Sequence, residues 1–233
     1  MIDWAWAADH LDELAGRVVQ HFVLAAIAVG IGFVISLALS IWATRSPIVR
    51  TPLVSLSGIL YTVPSLALFV VFVPLTGLSL VTAIIPLVLY TLLIFMRNIL
   101  AGLDGVPDEV LESADAMGYR RTQRLIRVEL PLALPLVMAG LRLASVSTIG
   151  LVTVSGILGD RFGGLGFFIF EGYRRSFPTE IAFGALPSIL LAVAIDVLLQ
   201  GIQRRLAPWS KSLRLELDPG VPDRGSGPVG RVR

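Results

Sequence analysis

An all-α integral membrane fold with about five transmembrane helices is the class this sequence predicts. Three observations predict it. Hydrophobic residues make up 55% of the 233 positions and charged residues only 15%, against about 25% charged in an ordinary soluble domain. Mean hydropathy is +0.81. Five segments reach the roughly 20 predominantly apolar residues that a helix needs to cross a bilayer.

The chain opens with MIDWAWAADHLDELAGRVVQ. Acidic residues precede Arg17, the first basic one, unlike the positive start of a cleaved signal peptide, so the first span is expected to be retained. Residues 1–19 read as an external segment. Within it, residues 3–19 can form an amphipathic surface helix with Trp4 and Trp6 at headgroup depth. Residues 20–206 form the membrane domain.

The first span runs from Phe22 to Ala43, with Gly30 and Gly32 suited to close helix packing and His21 at its outer mouth as an interfacial residue. The second covers Leu53 to Leu75, the third Leu78 to Leu100, the fourth roughly Leu134 to Leu158 and the fifth roughly Ile181 to Ile202. Pro64, Pro86 and Pro187 fall inside spans and predict kinks, which neighbouring helices can tolerate by re-satisfying freed backbone groups. Residues 207–233, rich in Gly and Pro, predict a disordered cytoplasmic tail.

Basic residues set the orientation. Arg45 and Arg50 follow the first span. Arg97, Arg120, Arg121, Arg124 and Arg127 lie at or between the third and fourth, and Arg204, Arg205, Lys211 and Arg214 follow the fifth. With five spans all three groups share one side, while Arg17, Arg161, Arg174 and Arg175 take the other. The reading is a multi-pass cell (inner or plasma) membrane protein, N-terminus outside and C-terminus in the cytoplasm.

Several classes of chemistry are excluded. Cysteine is absent, which removes disulfides and thiolate sites. Histidines are limited to His10 and His21, too few for most His-ligated metals, and no metal or cofactor is expected. Lys211 is the sole lysine and no Gly-rich loop precedes it, so no nucleotide phosphate cradle can be drawn. No nucleophile with a nearby base lies in the spans, so the chain itself is not read as an enzyme. The net charge of +2 gives no nucleic-acid-binding face.

The longest polar interruption is EVLESADAMGYRRTQRLIRVELPLALP, residues 109–135. Pro107 and Asp108 suit a helix start and Pro131 a stop or kink. Gly118 predicts a turn, after which Arg120, Arg121, Arg124 and Arg127 recur at helical spacing. Small residues around Ser113 and Ala114 would let another surface approach closely, and Glu112 supplies polar anchoring. The plainer reading is a basic surface helix lying on anionic lipid.

These residues resemble the loop signature of permease subunits of ABC importers: Glu-Ala-Ala, three residues, Gly, nine residues, Ile, one residue, Leu-Pro. The matching positions are Glu112, Ser113, Ala114, Gly118, Val128, Leu130 and Pro131, with Ser113 in place of Ala and Val128 in place of Ile. The resemblance covers most of residues 20–206. YTVPSLALFVVFVPLTGL, PLVLYTLLIFMRNILAGLDGVPDEVLESADAMG and GILGDRFGGLGFFIFEG look like its osmoprotectant branch, which imports glycine betaine, carnitine, choline or proline.

That resemblance implies a coupling helix at Glu112–Gly118, between spans three and four, seated on a separate cytoplasmic ATPase. It also implies a second permease subunit, in a homo- or heterodimer, and an external substrate-binding protein. The alternatives are an ABC permease for another small metabolite, or a self-sufficient secondary carrier. The short chain and the lack of inverted repeats argue against the carrier.

Further candidates lie in the spans. Arg142 and Asp196 sit at matched depths, on the order of 10 Å from the cytoplasmic ends of their helices, and are expected to pair, since a lone charge at depth is costly. Independent snorkelling, or Arg142 facing a watery cavity, is the competing reading. Tyr61, Tyr90 and Phe69 can line a path for a quaternary ammonium by cation–π contact or serve only as packing aromatics. The GDRFGGLGFFIFEG stretch, residues 159–172, reads either as a re-entrant or interfacial segment touching the binding protein or as a plain Gly-rich turn.

Overall fold

The computed structural model describes residues 3–208. All but the first two positions of the expected tail, Lys211 and Arg214 among them, therefore lie outside the described residues. The chain forms α1 (Trp4–Asp9), α2 (Leu11–Ala43), α3 (Pro47–Thr62), α4 (Ser65–Thr76), α5 (Leu80–Asp104), α6 (Asp108–Ala116), α7 (Arg121–Arg124), α8 (Leu130–Val154), α9 (Gly166–Arg174) and α10 (Pro178–Leu206). A π-turn over Leu125–Glu129 joins α7 to α8, and a 3₁₀ turn over Ser155–Leu158 follows α8.

Among the described residues four helices are long and apolar enough to cross a membrane: Leu11–Ala43, Leu80–Asp104, Arg121–Leu158 and Pro178–Leu206. The second expected span, Leu53–Leu75, is not a single kinked helix. It divides into α3 and α4, bent by 95°. The cause is local: proline pushes the preceding residue out of the helical region, and Val63 before Pro64 is extended at φ −66° and ψ 130°. Pro86 and Pro187, by contrast, sit inside continuous helices.

The hub is α5, which packs against α2, α3, α4 and α8. Its side chains from Thr82 to Leu103 are mostly buried. One core cluster joins Leu24 and Ala28 of α2, Phe69 of α4, Leu87 of α5 and Val152 of α8. A second joins Phe95 and Ile99 of α5 to Ala133 and Val137 of α8. Gly32 is buried where a Cβ would collide with the Thr91 hydroxyl. Gly30 is exposed with open space above it, so only one of the two expected packing glycines makes a close contact. On the periphery, α10 packs on α8 and α9 and leaves Ile189, Leu190 and Val197 exposed.

The N-terminal segment differs from a single surface helix over residues 3–19. Residues 11–19 are the first turns of α2, because nothing after His10 interrupts the helix before Thr44. The short α1 is capped by the Asp3 carboxylate, which accepts the Ala5 and Trp6 N–H groups at 3.1 Å each. Its Trp6 is drawn into the protein: the ring stacks on His10 at 4.1 Å and meets Phe177 and Phe183 edge-on at 5.2 and 5.4 Å. Trp4 alone stays largely exposed.

Candidate functional site

The polar stretch between α5 and α8 is built from local rules. Pro107 opens α6 by presenting its carbonyl to the Val110 and Leu111 N–H groups at 3.1 and 3.3 Å. At the other end the Gly118 N–H donates to Asp115 O at 2.9 Å and the Tyr119 N–H to Ala114 O at 3.1 Å. These two bonds form a Schellman cap. Gly118 takes φ +81° while a Cβ there would meet nothing within 4 Å. Backbone conformation, not space, requires glycine. The Ala-three-residues-Gly part of the signature is thus the spacing of a helix stop, with Ala114 buried beneath it.

Beyond the stop, the Arg120 N–H donates to Gln123 Oε1 at 3.0 Å and begins α7. Arg124 then acts as a tie. Its guanidinium donates to the Asp115 carboxylate on α6 and, through Nε, to Glu129 Oε1 at 2.9 Å in the π-turn. Asp115 and Glu129 were not singled out from the sequence; the signal available was a basic residue nine positions after one acid and five before the other.

The π-turn locally widens the helix but does not stop it at Pro131, where the sequence predicts a stop or kink. The wider i→i−5 turn just before it, with the Leu130 N–H bonded to Leu125 O, absorbs the missing donor and the ring clash. Val128 and Leu130 are half-buried and Pro131 exposed, while Glu112, Ser113 and Met117 face outward. Ser113 Oγ donates back to Glu109 O at 2.7 Å.

Arg142 and Asp196 meet as a fork: Nε to Oδ1 at 2.9 Å and Nη2 to Oδ2 at 3.0 Å. The pair ties α8 to α10, and Gln203 Nε2 donates to Pro135 O at 3.2 Å on the same two helices. Asp196 also borders a cleft of about 520 Å³ between them, lined by Ile149, Thr153 and Ser188.

The break at Pro64 leaves the Val63 carbonyl outside any helix, and the Tyr90 hydroxyl donates to it. The Tyr61 and Tyr90 rings meet edge-on at 5.6 Å, and Tyr61 remains 42% exposed. Both line a cleft of about 450 Å³ together with Pro64, Ser65, Ser147 and Gly150. Phe69 does not reach it. That ring is fully buried in the core cluster with Leu24 and Leu87, because α4 turns its face inward after the bend.

The loop after α8 is packed rather than free. The Leu165 N–H donates to His21 Nδ1 at 3.2 Å, which leaves His21 Nε2 to donate to Ile149 O at 2.9 Å. His21 is therefore a buried structural residue and not an interfacial one. Gln20 accepts the Gly164 N–H at 3.0 Å and donates to Arg161 O at 2.8 Å. Arg17 lies 4.2 Å above the Phe167 ring. Phe168 of α9 is fully buried.

Four membrane-length helices and one bent helix pair, with α5 as the hub and a capped polar helix between α5 and α8, define a multi-pass membrane protein. Residues 30–212 match the family model described as binding-protein-dependent transport system inner membrane component. The chain belongs to that family.

Relatives include the choline transport system permease protein OpuBB of Bacillus subtilis, 36% identical over 196 residues, 84% of this chain and 89% of that one. The osmoprotectant import permease protein OsmW of Salmonella typhimurium is 35% identical, covering 86% of this chain and 94% of its own. Among solved structures, an inward-facing form of the MetNI methionine ABC transporter superposes with a TM-score of 0.71. It covers 83% of this chain and 95% of that one at 23% identity, a likeness of fold.

Proposed function

We propose that this permease subunit imports glycine betaine, choline, carnitine or a proline-type osmolyte. It works as a homo- or heterodimer, with a separate cytoplasmic ATPase driving it and an external binding protein delivering substrate. Its N-terminus is outside and its C-terminus cytoplasmic. Relatives named for choline and for osmoprotectant import support the substrate class, and the clustering of arginines near α6 and at the end of α10 supports the orientation.

The observation that carries the reading is the exposed α6, stopped by a Schellman cap at Gly118 and tied by Arg124 to the base of α8. A short helix fixed in this way transmits displacement instead of bending. When the ATPase subunits close, α6 moves and drags α8, while substrate biases the equilibrium only by its different affinity for the two states. Tyr61 supplies a π face to a passing quaternary ammonium, a contact worth about 0.5–2 kcal/mol.

The test is uptake of radiolabelled glycine betaine and choline into proteoliposomes holding the permease, its ATPase and its binding protein, with ATP inside. ATP-dependent uptake that is lost in Gly118→Val, while the ATPase still co-purifies, is the expected outcome. If neither compound moves although binding-protein-stimulated ATP hydrolysis persists, the osmolyte assignment falls. Uptake in Gly118→Val equal to wild type would remove the role given to the α6 stop.

A further inference from the structure

On the side of the molecule that carries α6, the start of α3 and the end of α5 enclose a cleft of about 360 Å³ that the transport reading does not use. It is lined by Arg50, Thr51 and Ser55 from α3 and by Arg97, Ala101 and Asp104 from α5. The two helices run antiparallel, so the cleft has depth. At its mouth Arg50 grips Asp104 through both carboxylate oxygens, Nη1 to Oδ1 at 3.0 Å. Arg97 lies seven residues before Asp104, on the order of 10 Å deeper along α5.

Arg97 is the anomaly. It is exposed and, among the described residues, has no acid or carbonyl partner. A guanidinium at that depth in a membrane helix calls for a counter-charge or a polar path to the surface. Thr51 and Ser55 lie one turn apart on the facing side of α3, both exposed and with hydroxyls that bond to nothing described. Further along the same stripe Ile59 is 63% exposed.

After Asp104 neutralises one arginine, the cleft holds a net positive charge, two free hydroxyl donors and an apolar track leading toward the membrane centre. We infer that it is a binding site for an anionic glycerophospholipid. Arg97 and the Thr51 and Ser55 hydroxyls take the phosphate diester, and an acyl chain lies along Ile59. The recognised chemistry is a phosphate oxyanion; the apolar track selects a lipid over a free anion. Basic clefts between membrane helices bind anionic headgroups on the same principle, and a guanidinium is well matched to phosphate geometry.

Native mass spectrometry of the delipidated full-length protein, with phosphatidylglycerol or phosphatidylcholine added at equal mole fraction, tests the site. Wild type is expected to retain one phosphatidylglycerol in preference to phosphatidylcholine. Arg97→Gln should weaken that retention about fivefold, the effect of one arginine near a lipid phosphate. Arg205→Gln, at an exposed arginine on α10 that does not line the cleft, should leave it unchanged. Should Arg97→Gln not fold, Thr51→Val with Ser55→Ala carries the same expectation at a smaller factor. Equal retention of the two lipids, no loss in the cleft variants, or the same loss in Arg205→Gln would overturn the proposal. Displacement of the lipid by inorganic phosphate alone would assign the cleft to a soluble anion and overturn it as well.

Discussion

The two loops at the ends of α8 solve opposite problems with the same residue. The loop of residues 105–129 is mostly exposed, with Val106 and Ala114 buried inside it. Its Gly118 touches nothing and is needed for its φ of +81°. The loop of residues 155–165 is folded back under α9, and at the adjoining Gly166 an added Cβ would overlap the Thr153 backbone carbonyl. One loop is kept in shape by a cap and an arginine tie and presents Glu112, Ser113 and Met117 outward. The other is kept in shape by contact, sewn to α2 through Gln20 and His21. A loop with few contacts to the helices around it has to hold itself. A loop folded against a helix bundle can borrow its rigidity from the bundle.

The largest effect should come from the contact-held loop. Gly166→Ala forces backbone apart and is expected to cost about 3 kcal/mol, whereas Gly118→Ala meets only the left-handed backbone penalty of about 1 kcal/mol. Thermal unfolding of the two purified variants in detergent measures the gap. If both lose the same stability, the contrast between the loops is wrong.

Next comes the tie. Arg124→Gln removes both the Asp115 and Glu129 bonds and should reduce binding-protein-stimulated ATP hydrolysis several-fold, with little change in unfolding temperature. A drop in unfolding temperature matching that of Gly166→Ala would show that the tie holds the fold rather than the loop.

Between the loops, Arg142 and Asp196 join α8 to α10. Neutralising either should lower the unfolding temperature, and Arg142→Asp combined with Asp196→Arg should recover much of the loss. Absence of recovery would leave the two charges independent.

The smallest effect concerns Glu171, on α9 beside the contact-held loop. The Arg174 hydrogen bond, opposed by partial desolvation and helped by the charges of Arg174 and Arg175, holds its carboxyl below the usual range. A depressed carboxylate adds stability that is present above its unfolded value and fades as pH falls through the folded one. The difference in unfolding temperature between wild type and Glu171→Gln should therefore be full at pH 7 and shrink below about pH 4. A constant difference across that range would remove the ion cluster from the contact-held loop's account.

Much was legible from residue order alone. The helical class and the four unbroken membrane-length helices follow from apolar run length, and the helix stop at Gly118 follows from a local pattern whose hydrogen bonds close within six residues. The matched depths of Arg142 and Asp196 follow from counting 1.5 Å per residue.

What the sequence left open depends on direction in space. Run length cannot register that Pro64 turns a 23-residue apolar stretch through 95°, because both halves remain equally greasy. That bend sends Phe69 into the core and leaves Tyr61 at a cleft, although both are aromatic residues of the same expected span. His21 and Arg124 find their partners across 144 and 9 positions, and Gly30 and Gly32 part company over two residues because successive helix positions face different neighbours. Local backbone rules and hydrophobic run length are encoded residue by residue. Which face meets which neighbour is decided only when the helices pack, since burial depends on the partner surface as much as on the side chain itself.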